Sequence, residues 1–217
     1  MSEKKRKGTV LVTGGTRRLG KAIAEALRCA GWRVLTSSHQ EDSGADFVCD
    51  LSDPSGPVRL YAEALSAAPE DFCAIVNNAA LFTGDPSTLE AVNLVAPRKL
   101  TMLLAGREDC KCAVVNVVDS KTLGPSLSSD GVYERTKREL LSDTRRYAAL
   151  FAQTLRVNAV APGPVFPPDG VHEPAGEMLL DRRPTAEDVA SAVLYLLEAE
   201  SVTGTVIPVD SGQHLVC

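Results

Sequence analysis

Short runs of β-branched and aliphatic residues alternate along this chain with stretches whose apolar positions recur every three or four residues. The runs at 9–13, 33–37, 47–49, 73–76, 113–118, 156–160 and 205–209 read as strands. They are continuously apolar rather than alternating, which fits strands covered on both faces. Between them, Leu19, Ile23, Ala26 and Leu27 share one face of a helix. Further helices are predicted over 57–67, 89–104, 134–152 and 186–198, and Thr185 with Asp188 forms a capping box at the start of the last. Regular strand–helix alternation predicts an α/β fold, a doubly wound parallel sheet of the Rossmann type. No repeat or shift of composition divides the chain, so residues 1–217 read as one domain. The irregular, Pro- and Gly-rich stretch at 163–184 reads as a functional loop.

Composition narrows the classes of function. Of 217 residues, 44% are hydrophobic and 24% charged, and 23 basic against 28 acidic side chains leave a net charge of −5. That field does not attract polyanions, so no nucleic-acid partner is expected, and no apolar run has the roughly 20 residues of a membrane helix. Basic residues cluster at Lys4 to Lys7, but the apolar stretch that would make a secretory signal does not follow. Residues 1–8 therefore read as a solvated basic leader on a cytoplasmic protein. The six cysteines lack a Cys-x-x-Cys pair, and Cys110 and Cys112 have no nearby His. Reduced thiols and no metal site are expected.

The first strand runs into Thr13-Gly14-Gly15-Thr16-Arg17-Arg18-Leu19-Gly20 and then a helix. Glycines let such a turn tighten and let a pyrophosphate approach the helix N-terminus, whose free N–H groups favour anions. Gly15 to Lys21 also satisfies most of a Walker A loop, but Ala22 stands where a Mg²⁺-binding hydroxyl is required. The Thr-Gly-x-x-x-x-x-Gly spacing resembles that of the short-chain dehydrogenase/reductase family, and Arg17-Arg18 resembles its pteridine-reductase-like branch. The resemblance continues in order to Leu215: Asp50-Leu51 after the third strand, Asn77-Asn78-Ala79-Ala80 after the fourth, Asn93, Tyr133-x-x-x-Lys137, the run 156–163 ending in Pro162-Gly163, and the closing strand to Asp210. It implies that Gly14, Thr16, Arg17, Arg18, Leu19, Gly20, Asp50, Leu51, Asn78, Ala79, Ala80, Pro162 and Gly163 bind a dinucleotide. It also implies that Lys137 holds the nicotinamide ribose and that Asn93 anchors a relay water.

Tyr133 and Lys137, four apart on one helix, form an acid–base pair in which an ammonium beside the phenol lowers its pKa from about 10. A phenol so tuned donates a proton to a carbonyl oxygen as hydride arrives. The third catalytic group has two candidates. Strand register places Asp119 where most of the family has Ser, as the pteridine-reductase-like branch does, whereas spacing to Tyr133 favours Ser120. An ionised Asp only accepts hydrogen bonds, which suits a substrate bearing N–H groups.

The second strand closes on Ser37-Ser38-His39 without the carboxylate that would accept ribose hydroxyls. With Arg17 nearby, this favours NADP (NADPH), NAD being the weaker alternative. The substrate expected is a small pteridine or dihydrofolate, with a 3-oxoacyl thioester or general carbonyl compound as the alternative. A dinucleotide-binding sensor or scaffold without turnover is the reading of another class. Phe166, His172, Met178 and Leu179 are candidates for lining a pocket. The family resemblance implies a homo-oligomer, a tetramer or dimer, pairing the helices that start near Leu89 and Tyr133. Arg145-Arg146 reads as a solvated helix face, and His214 gets no role.

Overall fold

Because both faces of the apolar runs are covered, they form the central layer of the molecule. The computed structural model describes residues 7–107, 111–125, 130–166 and 177–216. In it β1 (Thr9–Thr13), β2 (Arg33–Ser38), β3 (Phe47–Val48), β4 (Phe72–Asn77), β5 (Cys112–Val117), β6 (Leu155–Pro162) and β7 (Val206–Val209) make one parallel sheet. The order is β3-β2-β1-β4-β5-β6-β7. Val10, Leu11, Val12, Ile75, Val76, Val114 and Val115 have no exposed surface, which explains why these strands do not alternate.

Helices α1 (Arg18–Cys29) and α6 (Ala186–Glu198) cover one face, where Ile23, Leu27, Val189, Val193 and Leu196 meet Val10, Val12 and Val115. On the other face α2 (Gly56–Ala67), α4 (Ala96–Ala105) and α5 (Val132–Leu150) bring Leu60, Leu100, Leu104 and Tyr147 against Leu11, Ile75 and Val114. The capping box of α6 forms as predicted: Asp188 N donates to Thr185 Oγ1 at 3.1 Å and Thr185 N to Asp188 Oδ2 at 2.9 Å. Arg145 and Arg146 are exposed, Arg146 paired with Asp143. Cys29, Cys49, Cys73 and Cys112 are free thiols, while Cys110, Cys217 and residues 4–6 of the leader lie outside the described residues.

The helix predicted over 89–104 starts earlier and is broken. Asp85 accepts from the N–H groups of Ser87 and Thr88, and Pro86 opens the short α3 (Pro86–Glu90). A single π turn, Ala91–Val95, then joins it to α4. Pro97 supplies the physical reason. It has no N–H to give to the carbonyl of Asn93, its partner four residues back, so the α-helical ladder cannot run through this point.

Candidate active site

The strand order reverses on either side of β1 and β4, and in such sheets ligands enter the crevice beyond the strand ends at that switch point. The two ends are braced together. Thr13 Oγ1 accepts from the N–H groups of Asn78 and Ala79, each at 3.0 Å, and Asn78 Nδ2 donates to Thr13 O at 2.9 Å and Gly14 O at 3.2 Å. A Cβ on Gly20 would lie 2.1 Å from Gly14 O and 2.5 Å from Asn78 Nδ2, so only glycine lets α1 begin this close to the turn. The N-terminal N–H groups of α1 have no side-chain cap, and Arg17 and Arg18 flank them. Arg18 takes φ +47°, the left-handed backbone that glycine would adopt without strain, and its guanidinium lies 5.0 Å over the Phe166 ring. Thr16 and Leu19 are half-buried on either side of this pair.

At the end of β2, Ser37 is buried, Ser38 half-buried and His39 exposed. The acid nearest in sequence to β3, Asp46, is used by Thr36, whose N–H and hydroxyl reach Asp46 Oδ2 at 2.7 and 2.8 Å. Asp50 is exposed above buried Leu51; Ser52 donates to it through both its hydroxyl and its N–H and holds its carboxyl below the usual range, with His39 adding a weaker pull. Ala79 is half-buried and Ala80 exposed along the same rim. Across the crevice β6 ends in Pro162, and Gly163 N donates to Val209 O at 3.0 Å. A Cβ on Gly163 would lie 2.7 Å from Asp210 Cβ, so the close pass of the closing strand demands glycine here. The residues present thus fit a dinucleotide: a glycine cradle, an uncapped helix start flanked by arginines, and Ser37-Ser38-His39 rather than a carboxylate at the end of β2, with Glu41 and Asp42 in the turn that follows.

At the other end of the crevice Asp119, not Ser120, meets the tyrosine. Tyr133 Oη donates to Asp119 Oδ2 at 3.0 Å, and Lys121 N donates to Asp119 Oδ1 at 3.0 Å. Ser120 is buried at the start of a 3-10 turn, Ser120–Leu123. Lys137, fully buried, donates to Val117 O at 2.8 Å, and its ammonium lies 5.8 Å over the Tyr133 ring. Burial lowers the Lys137 pKa to about 8 against the pull of Asp119. The expected lowering of the phenol pKa by Lys137 is not what this arrangement gives. Burial first, then the charge and hydrogen bond of Asp119, push Tyr133 well above its ordinary value. The carboxylate sits on the phenol oxygen, whereas the ammonium faces the ring and is turned to a carbonyl.

The side chain of Asn93 is buried and tied to the backbone of Leu81 at both its oxygen and its nitrogen. Leu81 N donates to its Oδ1 and its Nδ2 donates to Leu81 O, both at 2.8 Å. This fixes the loop whose next residue, Phe82, is 66% exposed and stands edge-on to Tyr133 with ring centroids 4.7 Å apart. Sequence reasoning missed Phe82. Its signal was a large aromatic two residues after the Asn78–Ala80 run, just before the turn-forming Thr83-Gly84-Asp85. Met178 is half-buried and Leu179 exposed against Gly212, whereas His172 lies outside the described residues. His214 Nδ1 pairs with buried Asp210 at 2.8 Å and so braces the chain end. Among the described residues there is no cluster of His, Cys, Asp or Glu suited to a metal, and no helix long and apolar enough to cross a membrane.

Comparison with known proteins covers nearly the whole chain. Residues 14–214 match the family described as enoyl-(acyl carrier protein) reductase. FolM alternative dihydrofolate reductase 1 from Brucella canis, solved in complex with NADP, is 30% identical, covers 96% of this chain and 94% of its own, and superposes with a TM-score of 0.81. Pteridine reductase 1 of Leishmania tarentolae is 29% identical over 94% of this chain and 96% of its own. L-xylulose reductase of Bos taurus is 32% identical over 93% and 94%.

Proposed function

The chain belongs to the short-chain dehydrogenase/reductase family of oxidoreductases, and from that premise we propose that it is an NADPH-dependent reductase of a C=N or C=O bond in a pteridine or dihydrofolate-type ring. The observation that carries the substrate reading is the Asp119 carboxylate on the Tyr133 hydroxyl. A carboxylate accepts hydrogen bonds and a serine hydroxyl can also donate, so this position favours a substrate that presents N–H groups over one that presents only a carbonyl oxygen. Exposed Phe82 beside Tyr133 offers a flat apolar wall to the same ring. Reduction of pteridine and dihydrofolate rings by similar proteins agrees with this reading.

Gly14, Thr16, Arg17, Arg18, Leu19 and Gly20 hold the pyrophosphate; Asp50 and Leu51 hold the adenine; Asn78, Ala79, Ala80, Pro162 and Gly163 line the nicotinamide half. Ser37, Ser38 and His39, with Arg17, accept a 2′-phosphate that an acid would repel. When bound, the reduced nicotinamide supplies the hydride. Tyr133 supplies the proton: its raised pKa keeps the phenol protonated at neutral pH, and giving that proton up relies on the Lys137 charge to stabilise the phenolate left behind. As Tyr133 turns its hydroxyl to the substrate, Asp119 Oδ2 is released to accept a substrate N–H. Buried Lys137 keeps a positive charge beside the transient phenolate and binds ribose hydroxyls. Asn93 contributes through its backbone carbonyl, left without an α-helical partner by Pro97, as the place for a relay water.

NADPH oxidation by purified protein with dihydrobiopterin, dihydrofolate and an acetoacetyl thioester in parallel tests the proposal. Turnover of the ring substrates is expected. Turnover of the thioester alone would overturn the substrate class and favour general carbonyl reduction, as in the L-xylulose reductase relative. NADPH binding with no turnover of any of the three would favour a sensor.

A further inference from the structure

Arg138 follows Lys137 on α5, and all five of its N–H donors are used. Nε bonds Asp130 Oδ2 at 2.9 Å; Nη1 bonds Thr122 O at 3.0 Å and Gly124 O at 2.7 Å; Nη2 bonds Lys121 O at 3.1 Å and Pro125 O at 2.9 Å. Four of these acceptors are carbonyls at and just beyond the C-terminal end of the 3-10 turn Ser120–Leu123, where a cation also meets the negative end of the turn. Asp119 forms the start of the same turn: Lys121 N donates to its Oδ1, and Thr122 N and Oγ1 donate to its carbonyl at 2.9 and 2.6 Å. The turn is therefore clamped at one end by Arg138 and carries Asp119 at the other.

This geometry bears on catalysis because Tyr133 and Arg138 ride on one helix. Asp119 lies fourteen positions before Tyr133 along the chain, and backbone connection alone does not fix their separation. The guanidinium spans from the helix that carries Tyr133 to the turn that carries Asp119. Both are held to one rigid element. The side chain of Arg138 is only 19% exposed and that of Asp130 9%, so the clamp is sheltered from competition by water. A lysine has three donors on a single point and cannot serve five acceptors in a plane.

We infer that Arg138 is a positioning residue that sets the Asp119 carboxylate against the Tyr133 hydroxyl. The inference rests on the proposed catalytic use of that pair. It is tested by a double-mutant cycle of Arg138→Ala and Asp119→Ala, read as NADPH oxidation with dihydrobiopterin. Arg138→Ala is expected to lower kcat at least tenfold while leaving the KM for NADPH within twofold. In the Asp119→Ala background the same change should alter kcat less than twofold, because the group it positions is gone. An equal loss in both backgrounds would overturn the inference, since a general loosening of the fold acts whether or not Asp119 is present. Should Arg138→Ala fail to fold, Arg138→Lys carries the same cycle with the same two outcomes.

A second readout needs no substrate. Amide hydrogen exchange at Lys121 and Thr122, whose N–H groups bond Asp119, should speed at least tenfold in Arg138→Ala or Arg138→Lys, and unchanged exchange overturns the inference. If dihydrobiopterin is not reduced by the unaltered protein, the substrate reading fails, and exchange still decides the role of Arg138 in the turn.

Discussion

A buried lysine that touches only a carbonyl and an aromatic face is costly to keep charged. Lys137 would release its proton at about 8 in the folded chain and only near 10.5 when unfolded. Between those values the unfolded chain binds more protons, so stability rises with pH across that window, and at neutral pH the burial penalty is present in full. The difference corresponds to on the order of 3 kcal/mol. Lys137→Met should therefore melt at a higher temperature than the unaltered protein at pH 7 and lack its rise in stability between pH 8 and 10, while losing turnover; thermal melts at several pH values check this. The same titration gives kcat/KM an alkaline fall near pH 8, as the charge beside Tyr133 disappears. Tyr133→Phe should lose turnover at least a hundredfold and keep NADPH affinity within a few fold, measured by cofactor fluorescence. Asp119 against Ser120 was a residue-scale question that sequence left open, because strand register and the spacing to Tyr133 disagreed. In the folded chain the Asp119 carboxylate, and not the Ser120 hydroxyl, lies on the Tyr133 hydroxyl, which is the contact the proposed mechanism uses.

Elements were legible where a period or a cap announces them. The strands, α6 with its capping box, and the turn after β1 follow from apolar runs, Thr185-x-x-Asp188 and glycine spacing. The break between α3 and α4 was legible in principle from Pro97, but the apolar period of 89–104 continues through the π turn and hides it. Phe82 and Arg138 were not legible, since the loop of one and the five carbonyl partners of the other exist only once the chain is folded. The β1–α1 turn yields its own prediction. With Gly14 O only 2.1 Å from where a Cβ on Gly20 would stand, Gly20→Ala must shift backbone rather than a side chain. It should destabilise by about 1–3 kcal/mol and weaken NADPH binding at least tenfold, seen in denaturant melts and fluorescence titration. Gly31→Ala, whose Cβ would meet nothing within 4 Å but whose φ is +96°, should lose stability through backbone strain while cofactor affinity is kept.

At the scale of the molecule, the layers leave particular surfaces bare. Met102 on α4 and Leu150 at the end of α5 are 56% and 66% exposed, on the two helices whose pairing the dimer or tetramer implied by the family resemblance requires. Gel filtration should show two or four times the chain mass, and Met102→Glu with Leu150→Glu should shift it downward; a monomer from the unaltered protein would refute the assembly. A further consequence belongs to the birth of the chain. Every strand pair in the sheet is parallel, so none closes through a tight hairpin, and β1 pairs with β2 and with β4, whose pairing runs to Val76. Val10, Leu11 and Val12 thus leave the ribosome long before their second neighbour exists, and at roughly 5–20 residues per second that wait lasts several seconds. During synthesis the most deeply buried strand of the finished protein is its longest-exposed sticky segment, and yield in the cell will depend on whatever shields it.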